Sequence, residues 1–158
     1  MEVVAYDPYA DAEVVTDLGV ERVALAALFD RALVISNHLP NIPPTRGKLD
    51  AALFERMRPG ATFINTGRGA QVVEDDLIAA LQRRLDLTAL LDVTFPEPPD
   101  PDSAFYSLPN VQLSSHIAGS QNNEVVRMAD YMIEEFTRWE RDEALRWQVT
   151  ESMLATMA

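Results

Sequence analysis

The stretch FINTGRGAQV, Phe63 to Val72, sets a glycine-flanked arginine after an apolar run and before a helical pattern. A phosphate-cradling loop in that position needs GxxxxGK[ST]. No lysine follows Arg68, and Lys48 is the only lysine in the chain. A guanidinium at a strand's carboxyl end instead matches a carboxylate through two parallel hydrogen bonds and stays charged at any working pH. Gly67 and Gly69 suit a close approach of the backbone to a ligand; a solvated loop arginine is the plain alternative. His116, in SSHIAGS, is one of two histidines and stands between the last apolar run and a long helical pattern. Its imidazole can serve as acid or base near neutral pH, or merely cap the loop. Glu97, in FPEPP, would fix the tautomer of a neighbouring imidazole and favour its charged form. Without such a neighbour it is an exposed loop glutamate.

Three more polar residues follow apolar runs. Asp7, after EVVAY, can accept hydrogen bonds from the hydroxyls of an adenosine ribose, or cap a turn ahead of Pro8. His38, in NHLP, is loop architecture or a cofactor-side contact. Asp92, closing LTALLD, can bond a carboxamide or a loop backbone. Asp7, His38, Arg68, Asp92 and His116 thus sit where five strands would end, the edge at which doubly wound sheets bind their ligands.

The elements that must position them read as alternating strands and helices, so the expected fold is α/β with a doubly wound, mostly parallel sheet. Strands are expected at 2–6, 20–24, 32–36, 61–66, 87–93 and 111–113, those at 32–36 and 87–93 fully buried. Helices are expected at 10–18, 25–30, 48–57, 74–84 and 120–141. Gly19 suits a helix end, and Arg58-Pro59-Gly60 is a stop signal. Thr94 to Pro109 is a long proline-rich loop, of the kind usually retained for function. No repeat or flexible linker interrupts the chain.

At 158 residues, 47% of them hydrophobic, the chain can bury a real core. A net charge of −12 argues against nucleic acid and against anionic membrane surfaces. Cysteine is absent, which removes disulfides and thiolate metal sites. The stretch MEVVAYDPYA has neither the basic start nor the apolar core of a secretory signal, and no window reaches the roughly 18 apolar residues of a bilayer span. A soluble, cytoplasmic protein is expected. No HExxH or GxSxG occurs, so neither a zinc site nor a serine nucleophile is expected. A receiver domain would need a lysine on a late strand, and Lys48 comes too early.

Together these segments resemble the D-isomer-specific 2-hydroxyacid dehydrogenases, in their NAD-binding domain from its second strand onward. VVAYDPYA is similar to the family's ribose-binding strand end. NHLPNIPPTRGKLDAALFERMRPGATFINTGRGAQVVEDDLIAAL is similar to its HLP loop, helix and INTARG segment. LLDVTFPEPP and LPNVQLSSHIAG are similar to DVFEPEP and LPNVLLTPHIAG. The resemblance implies that Arg68 binds the substrate's carboxylate and carbonyl oxygen, that His116 protonates that oxygen as hydride arrives, and that Glu97 holds His116 charged and oriented. It implies NAD as cofactor, with Asp7 selecting it over NADP, and contacts from His38, Pro40, Thr66, Gly67, Arg68, Asp92, His116, Ala118 and Gly119. The substrate would be a small 2-oxo or 2-hydroxy acid, and the full-length form a homodimer.

The departures concern loop geometry. Arg31-Ala32 stands where the family usually has an acidic residue, Gly67 where alanine or serine is common, and Ser115 where proline precedes the histidine. The glycine fingerprint should lie about 20 residues before the ribose-binding acid, hence before Met1. The expectation is therefore a carboxyl-terminal portion of a dehydrogenase, inactive in isolation: residues 1–142 a partial NAD-binding domain, 143–158 a tail returning to a substrate domain. In the strand order 3-2-1-4-5-6, such a portion leaves two strand edges facing a gap. A non-catalytic NAD-sensing or corepressor-like module, or an inactive gene fragment, are the alternatives.

Overall fold

Four apolar runs, each long enough for one short strand, pair into a parallel sheet. The computed structural model describes residues 2–157. β3 (Val34–Asn37), β4 (Thr62–Asn65), β5 (Thr88–Leu91) and β6 (Val111–Leu113) lie side by side in that order, all parallel. Parallel neighbours need crossover connections. α3 (Ala51–Phe54) lies in the crossover from β3 to β4, and α4 (Glu74–Arg83) in that from β4 to β5. β1 (Val4–Ala5) and β2 (Glu21–Arg22) form a separate parallel pair, joined through α1 (Ala12–Asp17), and α2 (Leu25–Arg31) leads on to β3. α5 (Asn123–Glu140) follows β6.

Local chemistry accounts for the boundaries. Asp11 caps α1 by accepting from Glu13 N–H, and Gly19, at φ 66°, ends that segment in a conformation that favours glycine. Asp50 caps α3, which starts later than expected because Leu49 is taken up in a bridge to Val72. α4 carries Glu74, Asp75 and Asp76 in its first turn and Arg83 in its last, matching its dipole. Asn110, just before β6, donates to the carbonyls of Leu81, Arg84 and Leu87 and so closes the end of α4.

Register puts Ile35, Phe63 and Ala89 in one row and Asn37, Asn65 and Leu91 in another, all buried on the same face. Phe29, Phe54, Leu49, Leu53, Leu77 and Leu81 cover that face, with Phe54 stacked edge-on against both Phe29 and Phe63. The opposite face is more open, which corrects the expectation of fully buried strands. Val34, on that face of β3, is 61% exposed while Ile35 beside it is buried on the other face, and Thr88 and Leu90 of β5 are only half-buried.

The two unpaired edges expected from the doubly wound order are present. Among the described residues β1 pairs only with β2 and β3 only with β4, and both border a cleft of about 1440 Å³. Arg31, one of the departures noted above, spans this region by pairing with Glu21 at 2.6 Å and Glu2 at 3.0 Å. α5 has no buried residue, and its Val125, Met128, Met132 and Phe136 are all more than half exposed. The chain beyond it folds back on its polar side, where Glu135 accepts from the N–H groups of Arg146 and Trp147. Among the described residues no helix is long and apolar enough to cross a membrane.

Candidate active site

His116 lies three residues past β6, at φ 57°, a left-handed conformation that a non-glycine residue holds only when its surroundings enforce it. Asp92, the first residue after β5, supplies that enforcement. Its Oδ1 accepts from Ser114 Oγ at 2.6 Å and from Ile117 N–H at 2.8 Å, and its Oδ2 from Ala118 N–H at 2.9 Å. Its carbonyl accepts His116 N–H at 3.0 Å. Of the two roles the sequence leaves open for Asp92, the loop-backbone one is therefore realised. Burial pushes its carboxyl pKa up, but the bonds from Ser114, Ala118 and Ile117, with the nearby His116, outweigh it and leave the pKa below the usual carboxylate range.

Glu97 meets the imidazole. Its Oε1 lies 2.7 Å from His116 Nδ1, and both side chains are close to half exposed. A carboxylate only accepts, so Nδ1 carries the proton it donates and Nε2 is left to face a reactant. The loop holding Glu97 is fixed from below. Glu74 Oε1 accepts Phe95 N–H at 2.7 Å, and Thr94 Oγ1 donates to the carbonyl of Pro96 at 2.8 Å. Glu74 is half-buried, and desolvation, aided by Asp75 and Asp100 and opposed by Phe95 N–H, raises its pKa.

Arg68 follows β4 and is exposed, its Nη1 donating to the carbonyl of Gly67 at 2.7 Å. The glycines on either side press against protein, not against open space, which corrects the reading that they admit a ligand. A Cβ on Gly69 would lie 2.0 Å from the carbonyl carbon of Thr94, and one on Gly67 would lie 3.0 Å from the Asn37 side chain. Gly69 thus lets the arginine loop touch the backbone of the loop that carries Glu97.

Asp7 and His38 end β1 and β3. Asp7 Oδ1 accepts from Tyr9 N–H at 2.8 Å and Ala10 N–H at 3.0 Å, the turn role, while Oδ2 makes no hydrogen bond among the described residues. His38 Nε2 lies 2.8 Å from Ser36 Oγ. Tyr6, Asp7, His38 and Pro40 all line the large cleft, with Lys48 Nζ 5.9 Å from the Tyr6 ring centre. On the open sheet face, Thr66, Asp92, Ser114 and Ala118 line a second hollow of about 200 Å³. Gly119 lies just beyond, exposed. Asp7 belongs to the small sheet and the other four strand-end residues to the large one, so the expected single edge is built from two sheets. Among the described residues, no group of three or more His, Cys, Asp or Glu is disposed to hold a metal ion.

A dinucleotide would find an acceptor at Asp7 Oδ2, which makes no hydrogen bond among the described residues, and the Thr66 hydroxyl beside the second hollow, whereas Ser114 Oγ and the Ile117 and Ala118 N–H groups are taken by Asp92. A sequence profile of the D-isomer specific 2-hydroxyacid dehydrogenase NAD binding domain matches residues 1–118. The chain belongs to this family. D-3-phosphoglycerate dehydrogenase of Archaeoglobus fulgidus is 37% identical over 120 residues, 76% of this chain and 23% of that protein. Glyoxylate/hydroxypyruvate reductase A of Serratia proteamaculans is 43% identical over 93 residues, 59% of this chain and 30% of the reductase. Among solved structures, holo D-mandelate dehydrogenase of Rhodotorula graminis superposes with a TM-score of 0.81 at 31% identity, over 96% of this chain and 44% of its own. The NADPH-dependent glyoxylate/hydroxypyruvate reductase of Sinorhizobium meliloti, in complex with NADP and sulfate, gives 0.75 at 30% identity, over 94% and 47%. The chain thus spans less than a third of the length of these curated relatives.

Within this 2-hydroxyacid dehydrogenase domain, sequence reasoning passed over the residues that hold the named ones. Ser114 and Glu74 anchor the histidine and glutamate loops, and Asn37, Asn65 and Gln71 lie buried beneath the arginine loop. One signal was available: β3 and β4 both end on asparagine, in a run otherwise apolar on the buried face.

Proposed function

We propose that this chain forms the catalytic edge of an NAD-dependent oxidoreductase that interconverts a small 2-oxo acid and its 2-hydroxy acid. The observation that carries the reading is the 2.7 Å pairing of His116 Nδ1 with Glu97, on loops braced against the loop of Arg68. Arg68 offers two parallel donors to the substrate carboxylate and steadies the carbonyl oxygen beside it. His116, charged, gives its Nε2 proton to that oxygen as C2 is reduced, and takes the proton back in the oxidative direction. Glu97 keeps the ring oriented by accepting from its Nδ1. When bound, the nicotinamide supplies or accepts the hydride at C2. Asp7 Oδ2 accepts from the adenosine ribose and repels a 2′-phosphate, while His38, Pro40, Thr66, Gly67, Asp92, Ala118 and Gly119 border the rest of the cofactor. Residues 1–142 constitute the cofactor side and 143–158 the segment that returns to a substrate domain. The acidic charge and absence of cysteine support a cytoplasmic setting, and the exposed apolar face of α5 supports a homodimer.

The test is NADH consumption with a panel of short 2-oxo acids, glyoxylate and hydroxypyruvate among them, by the longest polypeptide carrying this sequence. Arg68→Gln and His116→Ala should each lower turnover at least about 100-fold, the scale of losing a general acid or an oriented charge. Near-normal turnover in either variant sinks the mechanism.

A further inference from the structure

Beneath the arginine loop lie three buried carboxamides that the reaction does not use. Asn37 is 5% exposed, Asn65 1% and Gln71 0%. They bond to one another: Asn37 Nδ2 donates to Asn65 Oδ1 at 3.0 Å and to Gln71 Oε1. Every remaining bond they make with their side chains goes to one of two loops. Asn37 Oδ1 accepts Leu39 N–H at 3.1 Å, and Gln71 Nε2 donates to the Leu39 carbonyl. Asn65 Oδ1 accepts Gly67 N–H at 3.2 Å and its Nδ2 donates to the Arg68 carbonyl at 3.3 Å. Gln71 Oε1 also accepts Arg68 N–H at 3.3 Å. Both main-chain polar groups of Arg68 are therefore held by this cluster.

A purely space-filling role would be served as well by apolar side chains, since a buried amide contributes only when every partner is met. Here each amide nitrogen and oxygen has at least one partner, and outside the cluster those partners are Leu39, Gly67 and Arg68 rather than groups elsewhere in the core. We propose that Gln71, with Asn37 and Asn65, is a positioning clamp that locks the main chain of Arg68 to that of Leu39. The root of the carboxylate-binding side chain and the His38–Pro40 loop on the cofactor side then keep a fixed spacing. The inference rests on the reading of Arg68 given above, but its geometry can be tested without activity.

Amide hydrogen exchange on the whole chain separates the possibilities. Gln71→Met keeps the volume and removes both polar ends; Gln71→Glu keeps an acceptor for Arg68 N–H and loses the donor to Leu39. In Gln71→Met, exchange at Arg68, whose N–H loses its Gln71 acceptor, should speed at least about tenfold, the equivalent of one hydrogen bond, and exchange at Leu39, whose N–H keeps Asn37 but whose carbonyl loses Gln71, should rise by less, while β4 and β5 amides keep their protection. In Gln71→Glu the loosening should centre on the Leu39 loop, with Arg68 N–H retained. Unchanged exchange at Leu39 and Arg68 would overturn the clamp. So would equal loosening of the whole sheet in both variants, which would make Gln71 a core filler. In the NADH assay, Gln71→Met should raise KM for the 2-oxo acid about tenfold with kcat within about threefold and an unchanged pH profile, because it weakens carboxylate binding and leaves proton transfer intact. If the longest polypeptide carrying this sequence reduces no 2-oxo acid, the reading of Arg68 is refuted, and the exchange data alone would then decide the clamp.

Discussion

Replacing Asp92 by asparagine exchanges one oxygen for an NH₂ group at a carboxylate that receives three hydrogen bonds. Two fall on Oδ1, from Ser114 Oγ and Ile117 N–H, and one on Oδ2, from Ala118 N–H. A carboxamide can keep its oxygen toward Ser114 and Ile117, and then sets its own donor against Ala118 N–H. Losing one bond to a charged acceptor costs about 1.5–3 kcal/mol. Relief of the carboxylate's desolvation offsets part of this, since burial is the largest influence on Asp92. A net loss of about 2 kcal/mol follows, a large share of the roughly 5–15 kcal/mol that holds a domain together. The folded-state pKa of Asp92 lies below its ordinary value. Its stabilisation is therefore fully present above the unfolded value near 3.9 and fades as pH falls through the lower folded one. Urea unfolding of the two proteins should show a deficit of about 2 kcal/mol at pH 7 that shrinks below about pH 4. Exchange at Ile117 and Ala118 should rise in the variant at pH 7. A deficit under about 0.5 kcal/mol at pH 7, or one that does not vary with pH, would refute the claim that Asp92 anchors the histidine loop.

Three further outcomes follow from single contacts. Gly69→Ala forces a methyl group to within 2.0 Å of the Thr94 backbone, so it should destabilise the fold by about 3 kcal/mol or more in the same urea titration. It should also lower turnover by parting the arginine and glutamate loops. Glu74→Gln keeps an acceptor for Phe95 N–H while removing a charge that burial disfavours; because the folded pKa of Glu74 is raised, the variant should be the more stable at pH 7 and lose that advantage near pH 4. If Asp7 faces the adenosine ribose as proposed, Asp7→Ala should raise the ratio of kcat/KM for NADPH to that for NADH about tenfold or more; an unchanged ratio would show that Asp7 serves only its turn.

Much of the fold was legible because its signals are local. Gly19 and the apolar run before Thr66 each act within a few residues, and β6 and α4 lie almost where periodicity puts them. What escaped depends on neighbours distant in sequence. The openness of Val34 depends on what covers its face of the sheet, which no window of sequence reports. Gly69 is needed because Thr94 lies against it, not because a ligand does. Arg68 and His116 stood out as polar residues after apolar runs, and Glu97 only as a carboxylate in the long proline loop, yet Glu97 and His116 do meet. Asn37, Asn65 and Gln71 did not, because a buried amide looks like any other asparagine or glutamine until its partners are seen.

The central claim is that His116, oriented by Glu97, delivers the proton while C2 receives a hydride from the nicotinamide. The most direct measurement follows deuterium from NADH carrying deuterium at both C4 positions into a 2-oxo acid, with the longest polypeptide carrying this sequence and its His116→Ala variant in parallel. Deuterium at C2 of a single 2-hydroxy acid enantiomer, formed at least about 100-fold more slowly by His116→Ala, is the expected result. Label absent from C2, or equal rates in the two proteins, would contradict it.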